Sequence, residues 1–207
     1  MMRASSMWLL ILATSLLACG GDDDIDSDTE ARWAYLGFDA AVDRAINLGF
    51  DGFNAASSAN IPTQSGVGAE TGTMDVDGQV DQGASANKEM RLLVSLVEYR
   101  DGEVVDAETD ARIDLTYDTA DGEPLDLDIS LRNIPDGTFT GTMVGTMLVT
   151  GTEIDGPDFD AVGDFDLALS GDIQDDGGGA ILRTPGTLTI TGTVTSGDGV
   201  YEVNTTL

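Results

Sequence analysis

Leu125-Asp126-Leu127-Asp128-Ile129-Ser130-Leu131-Arg132 alternates apolar and polar residues without a break. A period of two places Leu125, Leu127, Ile129 and Leu131 on one face of a strand and the intervening residues on the other. The pattern extends in both directions. Phe165, Leu167 and Leu169 oppose Asp164, Asp166, Ala168 and Ser170, and Leu188, Ile190 and Val194 oppose Thr187, Thr189, Thr191, Thr193 and Thr195. One face is therefore dry and the other wet, the signature of an antiparallel sheet covered on one side. Threonine suits the wet face because its branched Cβ fits a pleat while its hydroxyl meets water.

Eight strands follow from this alternation: Thr71–Val80, Met90–Tyr99, Arg112–Tyr117, Leu125–Arg132, Thr138–Thr152, Val162–Ile173, Thr187–Thr195 and Val200–Thr206. Between them stand turn signals such as Asp101-Gly102, Asp121-Gly122, Pro135-Asp136-Gly137, Asp176-Gly177 and Asp198-Gly199. Glycine there supplies the positive φ of a tight hairpin, and short links make successive strands antiparallel neighbours. Along the dry face glycines interrupt the large residues (Phe139, Gly141, Met143, Gly145, Met147, Val149, Gly151, with Gly163 and Gly192 later), which points to bending or close approach by a bulky element.

The bulky element is upstream. Ser27 with Glu30 forms a capping box, and Tyr35, Phe38, Val42, Ala45, Ile46 and Gly49 recur at helical spacing. A helix over about 29–50, ended by Gly49, is expected, then a small-residue loop over 54–70. The fold class is mainly β (α+β): a curved antiparallel meander of about eight strands, barrel or half-barrel, packed with one N-terminal helix. A single domain over 29–207 accommodates it.

The first nineteen residues carry a different message. Met1-Met2-Arg3, an apolar run from Met7 to Leu17 and then Leu16-Leu17-Ala18-Cys19 describe a signal peptide. About eleven apolar residues are too few to cross a bilayer. The Leu-Leu-Ala-Cys ending resembles the lipobox of bacterial lipoproteins. The resemblance spans residues 1 to about 24 and implies cleavage after residue 18, acylation of Cys19 and a Gly/Asp-rich tether over 19–28. Gly20 rather than Asp after the cysteine implies the outer membrane, without choosing its periplasmic or surface face.

Removing residues 1–18 leaves 207 − 18 = 189 residues, enough for a domain with its own core. The formal charge is −29, and losing Arg3 brings it to about −30, with Lys88 the only lysine. Such a body is repelled by nucleic acid and by anionic membrane surfaces. Cys19 is the only cysteine, so no internal disulfide supports the fold. A membrane-spanning barrel would need an apolar outward face with aromatic girdles; twelve aromatics, against a wet face of Thr and Asp, argue against it.

The absence of histidine excludes Ser-His-Asp and Cys-His catalysis. Ser85-Ala86-Asn87-Lys88 matches S-x-x-K, but the second lysine of a K-T-G strand is missing. Carboxylates are the plentiful chemical groups. Calcium takes six to eight oxygens, often from Asp/Gly loops, and the best candidate is Asp155, Asp158 and Asp160; Asp172 with Asp175 and Asp176, and the tether aspartates, are weaker. An apolar cavity between sheet and helix would be lined by Phe139, Met143, Met147 and Phe165, methionine adapting to irregular guests. The expected function is a lipid-anchored, non-catalytic binding or structural domain of the bacterial envelope, its partner a lipid or other apolar ligand, or an envelope protein. The alternative is a calcium-dependent carbohydrate-binding protein or a carboxylate-based hydrolase.

Overall fold

The computed structural model describes residues 24–81, 85–154, 156 and 158–207. Two helices, α1 (Asp28–Leu36) and α2 (Asp39–Ala55), precede eleven strands. These are β1 (Asn60–Val67), β2 (Thr71–Val80), β3 (Lys88–Arg100), β4 (Val104–Val105), β5 (Arg112–Asp118), β6 (Leu125–Arg132), β7 (Thr138–Glu153), β8 (Asp158–Asp175), β9 (Ile181–Arg183), β10 (Thr189–Ser196) and β11 (Gly199–Thr206). All pairings are antiparallel, in the order β1-β2-β3-β5-β7-β8-β10-β11. The short β6 shares the place of β5: it pairs with β3 over Lys88–Val94 and with β7 over Thr138–Val144, while β5 pairs with the far ends of the same two strands. The ladder ends at β1 and β11, so the curved sheet stays open along one seam.

The alternation that defines the strands is reproduced in burial. Leu125, Leu127, Ile129 and Leu131 are buried while Asp126, Asp128 and Arg132 are exposed, and the other long strands behave alike. The helices cover the dry face and close the seam, α2 against β1 and β2, α1 against β11. Phe38 meets Tyr117 edge to face at 5.4 Å, and Trp33 lies 6.5 Å from Phe159. Among the described residues no helix is long and apolar enough to cross a membrane.

Several elements differ from expectation. The single helix is two. Ser27 caps α1 as foreseen, its Oγ accepting the Glu30 N–H at 3.2 Å, while Glu30 reaches back to the Asp26 N–H at 2.9 Å. The chain then breaks at Gly37 because Tyr117 enters there. Its hydroxyl donates to the Ala34 carbonyl at 2.8 Å, and a Cβ on residue 37 would lie 2.3 Å from that oxygen. Gly49 does not end the helix; it lies within α2, buried against Leu92. The expected loop over 54–70 contains β1, whose small polar sequence lacks alternation because only Ile61 of the strand is buried and Pro62 marks it as an edge. Strands β4 and β9, two and three residues long, are too short to show a period.

Three polar latches fix the helices to the sheet. Arg183 of β9 is almost fully buried and donates from Nε to Asp43 and from Nη1 to Asp39, both at 2.8 Å, while its backbone N–H also reaches Asp43. Asn47 exchanges hydrogen bonds with the backbone N–H and C=O of Ile181 at 3.0 and 2.9 Å, so Asp43 and Asn47, one turn apart on α2, act as a surrogate strand edge for β9. Arg44 bonds Tyr99 at 2.8 Å, and both engage Asp101. On α1, Arg32 and Trp33 donate to Asp106 at 2.6 and 2.9 Å. Burial opposes the charge of Asp106, but hydrogen bonds from Thr109, Arg32, the Glu108 N–H and Trp33 overcome it and hold its pKa at about 2.

A carboxylate depressed in the folded state stabilises fully above its ordinary value near ~4 and loses that contribution as pH falls. Asp106→Asn is therefore expected to lower the melting temperature at pH 6, with the gap to wild type closing between about pH 4 and about pH 2; thermal melts across that range check it. Gly151 has φ +138°, and a Cβ there would stand 2.2 Å from the Asp114 carbonyl oxygen across the ladder. Gly151→Ala is expected to cost ~2 kcal/mol or more. Gly177→Ala, at φ +84° in open space, should cost only ~1 kcal/mol; urea denaturation separates the two.

Candidate functional site

Among the described residues the expected cavity is closed. Phe139, Met143, Met147 and Phe165 are brought together on the concave face and are at most 2% exposed. The gap beside Met143, bounded by Phe38, Val42, Ala45, Val94, Leu125 and Leu127, holds no volume that a water molecule can enter. An apolar guest would have to displace α2, which the Arg183 and Arg44 latches oppose.

The acidic candidates are dispersed. Asp155 and Cys19 lie outside the described residues. Asp158 and Asp160 are exposed on the outer face of β8, opposite Thr152 and Thr150. Asp175 and Asp176 turn back on their own loop: Asp175 accepts the N–H groups of Gly177 and Gly179, Asp176 those of Gly178 and Ala180. The Gly178 and Ala180 amides hold the Asp176 carboxyl below its ordinary value. Among the described residues no three acidic side chains gather around a point that could hold a metal ion. The S-x-x-K match is not a catalytic pair either. Lys88 is buried, its Nζ donates to the carbonyl of Ser85 at 3.2 Å rather than to the hydroxyl, and it lies 5.1 Å over the Phe53 ring.

What remains is the outer face, where the register aligns one row of polar side chains from edge to edge. Asn60 of β1 faces Gln79 of β2, which faces Arg91 of β3, then Asp128 of β6 and Thr142 of β7. The row continues through Ala168, Thr191 and Asn204. Two concavities flank Arg91. One, of about 570 Å³, lies over β1–β3 where the ladder shifts register between Ile61 and Gln64 and where Gly78 has no side chain. The other, of about 470 Å³, lies over β3, β6 and β7, among Glu89, Asp128, Ser130, Thr140 and Thr142.

Arg91 is unusual in its pairing. Six of the seven described arginines (32, 44, 100, 112, 132 and 183) form ion pairs with carboxylates. Arg91 does not, although Asp128 stands directly across from it. Its guanidinium donates instead to the Gln79 Oε1 at 2.6 Å, and Gln79 Nε2 donates to Asn60 Oδ1 at 2.7 Å. The amide relay occupies one N–H of the guanidinium, and both Arg91 and Asp128 line the concavity over β3, β6 and β7. Alternation identifies each of these residues as outward-facing. It does not align them, since register between strands is a property of turns and bulges.

Because the relay is exposed, Gln79→Ala and Arg91→Ala are each expected to change unfolding free energy by less than ~0.5 kcal/mol, measurable by urea titration. A large loss would make the relay part of the scaffold rather than of a site. A scan against protein-family models, and searches of curated proteins and of solved structures, found no match to this chain.

Proposed function

We propose that the chain is a lipoprotein of the bacterial envelope, anchored through acylated Cys19, whose domain is a non-catalytic binding module working from its outer sheet face. The observation that carries this reading is the close packing of Phe139, Met143, Met147 and Phe165 beneath the helices, while the polar outer face of the sheet carries two open concavities that a partner can enter. The chemistry of that face agrees. It offers Thr, Asp, Asn, Gln and Arg without the histidine or free thiol that nucleophilic catalysis would draw on.

The anchor also suits the geometry. Ile25 is fully buried and donates its N–H to Ser196 Oγ at 3.0 Å, which ties the start of the described residues to the β10–β11 turn. Five residue steps separate Cys19 from Asp24, a reach of at most ~18 Å. The turn at Ser196 is thereby held near the bilayer. The polar row crosses β10 at Thr191, five residues, or ~17 Å, along the strand from Ser196. A module held this way presents the row to the surrounding compartment while the −29 charge keeps the body off anionic headgroups.

The test is to express the full chain in a bacterial host fed an alkyne analogue of palmitate. The wild type is expected to incorporate the label and to sediment with membranes. Cys19→Ala should lose the label and move to the soluble fraction while keeping its near-ultraviolet circular dichroism. An unlabelled wild type, or a Cys19→Ala protein that still sediments with membranes, overturns the anchor.

A further inference from the structure

We propose that the outer-face row centred on Arg91 binds a neutral polyhydroxylated chain, a glycan without acidic groups, lying across β1, β2, β3, β6 and β7. The inference rests on the reading of the domain as an outer-face binding module and names its ligand class. Three observations select this chemistry. First, Arg91 is held by an amide rather than by a carboxylate, so both it and Asp128 keep hydrogen-bonding capacity. A sugar hydroxyl donates and accepts at once, and a planar donor beside a planar acceptor suits a pair of neighbouring hydroxyls. Thr142, Thr140 and Ser130 extend the same mixed character along the second concavity.

Second, charge narrows the ligand. A chain of −29 repels phosphorylated, sulfated or uronic-acid ligands, and a donor at Arg91 facing an acceptor at Asp128 across the ladder asks for a ligand that both gives and takes hydrogen bonds and needs no net charge. Third, shape and apolar contact fit. The two concavities share Arg91 as a common wall, and four inter-strand steps from β1 to β7 span ~19 Å, room for several sugar units. Pro62 and the 38% exposed Leu93 border the first concavity and offer an apolar surface to the C–H face of a ring.

Calorimetric titration of the full chain in detergent micelles tests this, with linear hexasaccharides of β-1,4-glucose, α-1,4-glucose, β-1,4-N-acetylglucosamine and β-1,4-mannose as probes. Oligogalacturonate serves as the anionic counterpart. At least one neutral hexasaccharide is expected to bind saturably, with affinity unchanged by EDTA and lowered at least tenfold in Arg91→Ala. Arg112→Ala, an exposed ion pair on β5 away from the row, should bind as wild type does. Failure of all four neutral probes, tighter binding of oligogalacturonate, or equal binding by Arg91→Ala overturns the proposal. Palmitate labelling is read on the same preparation, so a labelled protein that binds none of the probes refutes the glycan while leaving the anchor standing.

Discussion

A sheet with one dry face must be covered, and in this protein everything else follows from how. The strands present a continuous apolar surface from Met74 on β2 to Val203 on β11, with no disulfide available to hold a partial cover in place. Curving that surface around α1 and α2 buries it. The cost of the curve is an open seam, which α2 covers at β1 and β2 and α1 at β11. The break at Gly37 is where the change of direction occurs, made by the Tyr117 hydroxyl entering the turn. A glycine on α2 then allows close approach to the sheet, as at Gly49 beside Leu92.

Positive charge is scarce and is used almost entirely for fastening. Arg183 joins β9 to two carboxylates of α2, while Arg44 and Arg32 join the helices to carboxylates in the links that follow β3 and β4. Buried pairs of this kind add little net stability over apolar packing, but they set which helix face meets which strand. Arg100, Arg112 and Arg132 pair with carboxylates on or beside the sheet. Against that background the neutral partner of Arg91 stands out, because an acidic protein offers carboxylates everywhere and here the one directly opposite is left unpaired.

The long strands were legible because each buries one face over many residues. Thr71–Val80 and Leu125–Arg132 match their expected limits, and burial follows the alternation along β7 and β8. Where one face is not buried along its length, the period disappears, and β1 read as a loop for that reason. Strands β4 and β9 were illegible through brevity. The surrogate edge made by Asp43 and Asn47 had no local signal either, since a helix carboxylate and amide that satisfy a distant strand look like any solvated pair.

The amino-acid sequence by itself determined the sheet, its dry and wet faces, its antiparallel pairing and the helical cover, because these depend on periodicities contained within each segment; the expected meander fails at β5 and β6, which do not pair with each other but share the place between β3 and β7. It also determined the charge and the absence of histidine, and with it the absence of any Ser-His-Asp or Cys-His arrangement. Only the tertiary structure decided that Phe139, Met143, Met147 and Phe165 pack without a cavity beside them, that one helix becomes two, and that Asn60, Gln79, Arg91, Asp128 and Thr142 fall in one row. The physical reason is common to all three. Filling, breaking and register depend on contacts between residues tens of positions apart, and no period within a segment encodes the offset between one strand and the next.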